Sequence, residues 1–441
     1  MRNLRVVAVA TLCILSLFAK AQDSRQPINL SDSPRATHPK MNALIHQIAE
    51  LTETDGKGGD ELGLSAAIGG ATAVVGTNRT VPNGVAYVFV KPAGGWSNMT
   101  PTATLTSSDN AYGFGSSVAI SSDGSTVLVG APNATIGKNG FQGAVYVFVK
   151  PSSGWQDMTE SAKLTASDGH ELDSLGISVG ISGSTVAAGA YQATIGSNSQ
   201  QGAEYVFVKP SAGWKDMTQT AKLTASDGQA KDWMGWTSSI SGNTVAVGVP
   251  NRDQYRGEID VFVEPSGGWK DMTQTARLEA ADAKLDDNLG DSVAISGDTV
   301  VGGAPLTMID KNAQEGAAYV FVRPASGWKN MTQTAKLVPQ HGQANQWMGV
   351  CASINSGAIV MGAPQTTVGQ NAKQGAEYVF AKPAHGWKNM TSTAELVASD
   401  GQTGDELGWS VWISGKKVVG GAPNATIDGN SYEGVAYVFP Y

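Results

Sequence analysis

The chain has 441 residues, of which 54 are glycine and only 15% are charged. This composition disfavours a helical protein and fits an all-β protein with many tight turns. The formal net charge of −8 disfavours nucleic acid or an anionic membrane surface as a partner.

The first residues predict a secretory signal. Two arginines precede an apolar run over residues 6–18, and Ala19-Lys20-Ala21 supplies the small residues of a cleavage site. The run is too short to span a membrane comfortably. We therefore expect a signal peptide at residues 1–21, a flexible polar leader at residues 22–45, and a mature protein that is periplasmic, extracellular or attached to the cell surface without membrane insertion.

A repeat of about 59 residues organises the rest of the chain. Each copy holds four short runs of β-branched or aromatic residues, separated by the turn formers Gly, Pro, Asn, Asp and Ser. Four antiparallel strands in each of seven copies predict a seven-bladed β-propeller over residues 46–441. The third strand of each copy carries Tyr-Val-Phe or a variant, which begins at Tyr87, Tyr146, Tyr205, Asp260, Tyr319, Tyr378 and Tyr437.

A count of the segments predicts where the ring closes. The third strand occurs seven times, but the Gly-Trp connector that should follow it occurs six times, at Trp96, Trp155, Trp214, Trp269, Trp328 and Trp387. The chain ends directly after a third strand, and an unattached fourth strand stands at residues 49–51. We expect that strand to complete the seventh blade, because a closed ring has no unpaired edge at its seam.

The repeat resembles the FG-GAP repeat. Phe114-Gly115 precedes Gly130-Ala131-Pro132, and Gly-Ala-Pro recurs in later copies, while the Phe-Gly position varies, as in Met234-Gly235. The resemblance implies the propeller fold of the integrin α subunit and of many bacterial secreted proteins. Several integrin blades bind calcium in an acidic loop between the first two strands. Here that turn is short, as at Ser182-Gly183-Ser184, so no metal site or other cofactor is expected.

The loops from each fourth strand to the next blade share one rim with the loops between second and third strands, and we call this the loop rim. Its blade-to-blade loops carry acidic pairs five residues apart, as at Asp168 and Asp173. We expect these carboxylates to cap turns, with weak calcium binding as the alternative. The other pairs are Asp55 with Asp60, Asp227 with Asp232, and Asp400 with Asp405.

Tryptophans fall into two groups. A tryptophan that recurs in every connector is expected to pack against its own or the neighbouring blade. Others stand only in copies that depart from the consensus, near the Phe-Gly position, and they are the candidate ligand-binding residues. Their alternative role is to fill an irregular axis or blade interface. These irregular residues are Trp233, Trp236, Trp347, Trp409 and Trp412.

No motif for catalysis is present. The sequence has no Gly-x-Ser-x-Gly elbow, phosphate loop or zinc-protease motif, and Cys351 is the one cysteine beyond the signal, so we expect no catalytic residue and no internal disulfide. We therefore expect a monomeric, non-catalytic propeller that presents one rim to an extracellular protein or glycan. The alternatives are a multivalent lectin and a polysaccharide- or peptide-acting enzyme with a site on the axis.

Overall fold

A computed structural model of the protein describes residues 43–77 and 84–441. The predicted signal peptide and most of the predicted leader lie outside these residues. The described residues form seven sheets, and the first strands of neighbouring sheets contact one another around an axis. The predicted all-β, seven-bladed propeller is therefore confirmed. None of the helical segments in the described residues has the length and hydropathy needed to cross a bilayer.

Each blade has four antiparallel strands, numbered from the axis outward. In blades 1 to 4 they are Ser65–Gly69, Thr72–Gly76, Ala86–Val90 and Ala103–Thr106; Ser117–Ile120, Thr126–Ala131, Ala144–Val149 and Ala162–Thr165; Val179–Ser182, Thr185–Ala190, Ala203–Val208 and Ala221–Thr224; Ser238–Ser241, Thr244–Val249, Glu258–Val263 and Ala276–Glu279. In blades 5 to 7 they are Ser292–Ser296, Thr299–Ala304, Ala317–Val322 and Ala335–Val338; Cys351–Ile354, Ala358–Ala363, Ala376–Ala381 and Ala394–Val397; Ser410–Ser414, Lys417–Ala422, Val435–Pro440 and Ala49–Leu51.

The third strand of each blade is apolar on both faces because neighbouring blades cover both faces. In blade 2, Val145 and Val147 point to one side and Tyr146 and Phe148 to the other, and all four are fully buried. Such residues form a series of apolar layers between blades, which supply most of the hydrophobic stabilisation.

A fifth strand, which the sequence did not predict, links consecutive blades. The Met-Thr pair of each connector lies parallel to the fourth strand of the preceding blade, so that Met158 is opposite Leu105. The residue before the pair strengthens the link, because Asp157 Oδ1 accepts a hydrogen bond of 2.8 Å from the Thr104 amide. These short strands are Met158–Thr159, Met217–Thr218, Met272–Thr273, Met331–Thr332 and Met390–Thr391.

The seam is closed by two strands. Ala49–Leu51 pairs antiparallel with the last strand, Val435–Pro440, and completes blade 7, as predicted. A second strand, Ala43–His46, pairs parallel with Ala394–Val397 of blade 6 and takes the place of the missing Met-Thr strand. The predicted leader includes residues 43–45, but in the structure these residues form part of the ring.

Glycines allow the backbones of adjacent blades to touch. A Cβ on Gly130 would lie 2.0 Å from the Gly176 carbonyl oxygen of the next blade, and a Cβ on Gly176 would lie 2.5 Å from the Ala144 oxygen. Gly176 also has φ of 92°, in the left-handed region that favours glycine. The Ser117 hydroxyl donates to the same Gly176 oxygen at 2.8 Å. The equivalent bond from Ser410 to the Gly63 oxygen, 2.7 Å, crosses the seam.

One blade interface contains an unpaired buried acid. Glu377 on the third strand of blade 6 is fully buried, and neither carboxylate oxygen has a hydrogen-bond partner among the described residues. The equivalent residues in blades 5 and 7 are Ala318 and Ala436. Burial raises the pKa of Glu377 well above its usual range, so the side chain is held as the neutral acid.

Leu51→Ala should lower the free energy of unfolding by about 3 kcal/mol, because Leu51 is fully buried in the strand that closes the ring. Leu44 is the matched control, since it lies in the neighbouring strand and is 56% exposed. Leu44→Ala should cost less than about 0.5 kcal/mol. Urea denaturation of both variants measures the difference, and equal midpoints would refute the proposed closure.

Glu377→Ala should stabilise the protein more at pH 8 than at pH 4. Because the folded state raises the pKa of Glu377, it retains a proton that the unfolded chain releases. The wild type therefore loses about 1.4 kcal/mol for each pH unit between the unfolded pKa and the folded pKa. Urea denaturation at the two pH values gives the comparison. A difference between variant and wild type that does not change with pH would show that the carboxyl titrates normally.

Candidate functional site

The structure places the five irregular tryptophans in two settings. Trp233, Trp236, Trp347 and Trp409 lie in blade-to-blade loops on the loop rim, whereas Trp412 lies on the innermost strand of blade 7. All five are half-buried. Trp412 packs against the apolar layers between blades 7 and 1 and between blades 1 and 2. It therefore fills the interior, in agreement with the alternative role for these residues.

An aromatic cluster forms where blades 3 and 4 meet. The rings of Trp233 and Trp236 are stacked, with centroids 5.7 Å apart and planes inclined by 28°. Tyr191 meets both rings edge-on, at 5.5 and 5.0 Å. Aromatic pairs in these geometries contribute about 1 kcal/mol beyond the area they bury. We call Tyr191, Trp233 and Trp236 the rim cluster.

Tyr191 is not among the candidate ligand-binding residues predicted from the sequence. It follows Gly189-Ala190 at the position where Pro132, Pro250 and Pro305 stand in other copies. The same signal that selected the tryptophans, a large ring at a consensus position, would have found it. Tyr191 lies at the start of the loop between the second and third strands of blade 3, beside the loop that carries Trp233.

Trp233 has an unfavourable backbone conformation. Its φ is 62°, and the equivalent residues of other blades also have positive φ, including Gly113 at 77° and Asn288 at 59°. Glycine and asparagine tolerate this region, whereas a tryptophan there costs on the order of 1 kcal/mol. Trp347 occupies the same position in blade 6, with φ of 58°.

Glutamine side chains border the rim cluster. Gln192 Nε2 donates to the Tyr191 hydroxyl oxygen at 2.6 Å, and Gln200 Nε2 donates to Gln192 Oε1 at 3.4 Å. The Trp233 amide donates to the Gln200 carbonyl oxygen at 3.3 Å, which fixes the two loops together. The site thus combines flat apolar rings with amide groups that can both donate and accept hydrogen bonds.

Trp236 connects the rim cluster with the start of the axial strands. Its indole donates a hydrogen bond to the carboxyl of Asp291, which occupies the equivalent position in blade 5. Burial raises the pKa of Asp291 to about 7, although this hydrogen bond opposes the rise. Trp409 occupies the same repeat position in blade 7. The ring contacts of the rim cluster therefore join two of the five predicted tryptophans and add Tyr191.

A related pair of side chains lies where blades 5 and 6 meet. The Trp347 indole Nε1 donates to Gln314 Oε1 at 3.2 Å, and the Trp347 amide donates to the Gln314 carbonyl oxygen at the same distance. Gln314 corresponds in the repeat to Gln200. A tryptophan is thus joined to a loop glutamine at two blade junctions of the loop rim, through the backbone at both and through the side chains at Trp347.

The acidic pairs of the blade-to-blade loops are structural. Asp173 Oδ2 accepts a hydrogen bond of 2.7 Å from the His170 amide, which caps the loop, and Asp60, Asp232 and Asp405 cap theirs in the same way. The first member of the pair, Asp168, forms an ion pair of 2.7 Å with Lys222. Burial is the largest single influence and raises the pKa of Asp168, but the hydrogen bond and charge of Lys222 and the hydrogen bond from Tyr205 together outweigh it and lower the pKa. The capping interpretation is therefore confirmed for the second member of each pair.

The connector tryptophans also have structural roles. Five of the six are buried, and the sixth, Trp214, packs against the apolar layer between blades 2 and 3. Trp155 also donates its indole N–H to the Gly124 carbonyl oxygen at 3.3 Å, on the rim opposite the loop rim. The prediction that these residues pack within or between blades is confirmed.

The loop between the second and third strands of blade 4, residues 250–257, is shorter than its equivalents in blades 2 and 3, but it does not leave an open space. It contains a helical turn at Arg252–Tyr255, and the buried Arg252 guanidinium donates to Asp232 Oδ2 at 2.6 Å and to the Asp227 carbonyl oxygen at 2.9 Å. Asp260 takes the place of the usual tyrosine beneath it, and burial raises the pKa of Asp260 above its ordinary range. The loop is therefore shorter but filled by charged groups.

No metal-binding arrangement occurs within residues 43–77 and 84–441, where no three His, Cys, Asp or Glu side chains are grouped so that they could hold an ion. The chemistry that the loop rim offers in these residues is aromatic stacking and hydrogen bonding by amides.

No curated protein sequence matches the chain.

The family model for the FG-GAP repeat matches six segments of the chain, at residues 45–89, 99–148, 158–207, 217–262, 272–321 and 390–439. After the first, each segment begins at the Met-Thr pair of a connector and ends in a third strand, so the boundaries of the family repeat do not coincide with those of the blade. The first begins at Ile45, within the strand that replaces the missing Met-Thr pair. Since the matched segments span more than half of the residues and the fold agrees, the chain belongs to the FG-GAP repeat family.

Proposed function

We propose that the protein is a secreted, non-catalytic binding propeller that holds an extracellular protein or glycan on its loop rim. The observation that carries the proposal is the rim cluster, in which two tryptophans are stacked at positions where most other blades have smaller residues. The other blades provide the comparison, because the residues equivalent to Trp233 all have positive φ and include Gly113, Ser174 and Asn288.

The free-energy cost of the left-handed backbone conformation at Trp233 supports a binding role. Backbone strain concentrates at functional sites, where the surrounding structure offsets it. Tryptophan and tyrosine are also the residues that dominate binding energy at protein interfaces, since they bury a large rigid surface and retain a polar group. The rim cluster is half-buried, so a partner could cover the remaining ring surface without a rearrangement of the blades.

A carbohydrate ligand is the second candidate, and the repeated pair of indole and glutamine favours it. Sugar rings with equatorial hydroxyls present a flat face of C–H groups that stacks on an indole, while an amide can satisfy their hydroxyls. Trp347 and Gln314 form such a pair through their side chains, and Trp233 and Gln200 stand at the equivalent positions, joined through their backbones. The acidic charge of the chain favours neutral over anionic sugars.

An enzyme with an axial site is the third candidate. Asp291, with its pKa raised to about 7, would be the acid or base of such a site. Turnover on panels of polysaccharides or peptides, lost in Asp291→Asn, would replace the binding proposal with this one.

Trp233→Asn should abolish binding by the loop rim while the fold is retained, because Asn288 occupies the equivalent left-handed position. Wild type and variant are compared on a printed array of neutral and anionic oligosaccharides and on an array of extracellular proteins. Tyr432→Asn is the matched control, since Tyr432 is an exposed aromatic residue with positive φ on the same rim in blade 7.

We expect at least about a tenfold loss of affinity in Trp233→Asn, which corresponds to about 1.4 kcal/mol, and no loss in the control. Thermal melting of both variants checks that the ring is intact. Binding by Trp233→Asn that equals wild-type binding would remove the rim cluster from the site. A loss that is equal in Tyr432→Asn would point to a general effect on the rim.

A further inference from the structure

The repeat contains a cation site that three blades fill with their own lysine. In each of these blades an ammonium nitrogen lies 5.2 to 5.4 Å above the ring centre of the third-strand tyrosine and forms an ion pair with the first aspartate of the preceding loop. The lysine comes from the fourth strand of the same blade. The three sets are Lys163 with Tyr146 and Asp109, Lys222 with Tyr205 and Asp168, and Lys336 with Tyr319 and Asp282.

Blades 1 and 7 keep the tyrosine and the aspartate but have no lysine. In blade 7 the longer, acidic Glu50 takes the place of the lysine, opposite Tyr437. Blade 1 has a short residue there. Tyr87 and Asp55 occupy the two positions, and Thr104 stands where the lysine of the other blades stands. Because threonine is shorter by several atoms, its side chain does not reach the place that the lysine takes in blades 2, 3 and 5. A pocket of about 480 Å³ lies here, and its lining includes Asp55, Tyr87, Thr104 and Asp157.

The charges around this pocket suit a cation. Asp55 is exposed, and no ion pair joins it to a lysine or arginine within the described residues. A second carboxylate, the buried Glu53, accepts a hydrogen bond of 3.0 Å from the Tyr87 hydroxyl. Asp157 uses Oδ1 to accept a hydrogen bond from the Thr104 amide. Lys57 also lines the pocket and is its one basic lining residue, and its backbone amide donates to Asp60.

We infer that the pocket of blade 1 binds a primary ammonium group carried on an unbranched alkyl chain. The ligand group would occupy the place of the missing lysine, with its charge beside Asp55 and over the ring of Tyr87. Blades 2, 3 and 5 show that this arrangement accepts an ammonium group at the distances given above.

The repeat also indicates why the group is an ammonium rather than a guanidinium. In blade 4 the fourth-strand residue is Arg277, and there the tyrosine is replaced by Asp260. The planar guanidinium of Arg277 pairs with Asp227 and Glu258 instead of lying over a ring. Every blade that combines the tyrosine with a basic residue uses lysine, so the pocket with Tyr87 is matched to a compact ammonium.

The ammonium could be the lysine side chain of a protein partner or the end of a free diamine. The pocket lies beside the fourth strand of blade 1, near the outer edge of the sheet, and it is separate from the rim cluster between blades 3 and 4. The inference therefore does not depend on the function proposed for the rim cluster.

The test uses cadaverine, the peptide acetyl-Gly-Lys-Gly-amide and, as a guanidinium control, the corresponding arginine peptide. Each is titrated into the wild-type protein and followed by NMR and calorimetry. We expect one site with a millimolar Kd for the ammonium probes and at least about tenfold weaker binding of the arginine peptide. Tighter binding of the lysine peptide than of cadaverine would identify a protein partner as the source, and the reverse order would identify a free amine.

Two variants exchange the lysine and threonine between equivalent positions of blades 1 and 2. Thr104→Lys gives blade 1 the lysine of blades 2, 3 and 5, so it should fill the pocket, abolish binding and leave the melting temperature equal or higher. Lys163→Thr should create the same pocket in blade 2 and change the stoichiometry from one to two. Undiminished binding in Thr104→Lys, or no second site in a folded Lys163→Thr, would overturn the inference, as would a wild-type protein that binds neither ammonium probe.

Discussion

The close approach of backbones at the blade junctions is the constraint on which the rest of the structure depends. At each junction the chain places glycines where two blades would otherwise collide, as Gly130 and Gly176 show. A side chain at either position would separate the blades and expose the apolar layers that stabilise the ring. Once the backbones touch, a serine hydroxyl can reach the neighbouring carbonyl, and that bond recurs around the axis to the seam at Ser410.

The periodicity of the sequence was sufficient to predict the fold and the seam, because third strands that are apolar on both faces and separated by turn residues have few alternatives. The fifth strands were not predictable in the same way. A Met-Thr pair is too short to show alternation, and its partner, as Met158 opposite Leu105 shows, belongs to another blade. The strand at Ala43–His46 was missed for the same reason, and its residues were assigned to the leader.

The candidate site was predicted in part. Tryptophans that depart from the repeat were predicted to bind a ligand. The rings of Trp233 and Trp236 are stacked on the rim, but Trp412, selected by the same criterion, packs against an apolar layer between blades. The sequence shows that a residue is unusual, but whether its side chain points outward depends on the strand and the register. Tyr191 was not predicted, although it replaces the proline of the Gly-Ala-Pro consensus; that substitution alone does not show that its ring would meet the next loop.

The offset between the repeat and the blade has a consequence for how such a ring comes apart. Because each connector leaves its Met-Thr strand on the sheet behind it, no sheet of blades 1 to 5 is made from one uninterrupted stretch of sequence. A blade cannot detach without pulling a strand from its neighbour, so local openings are coupled around the ring. The seven units should therefore behave as one cooperative body, unlike open solenoids, whose end repeats can fray independently.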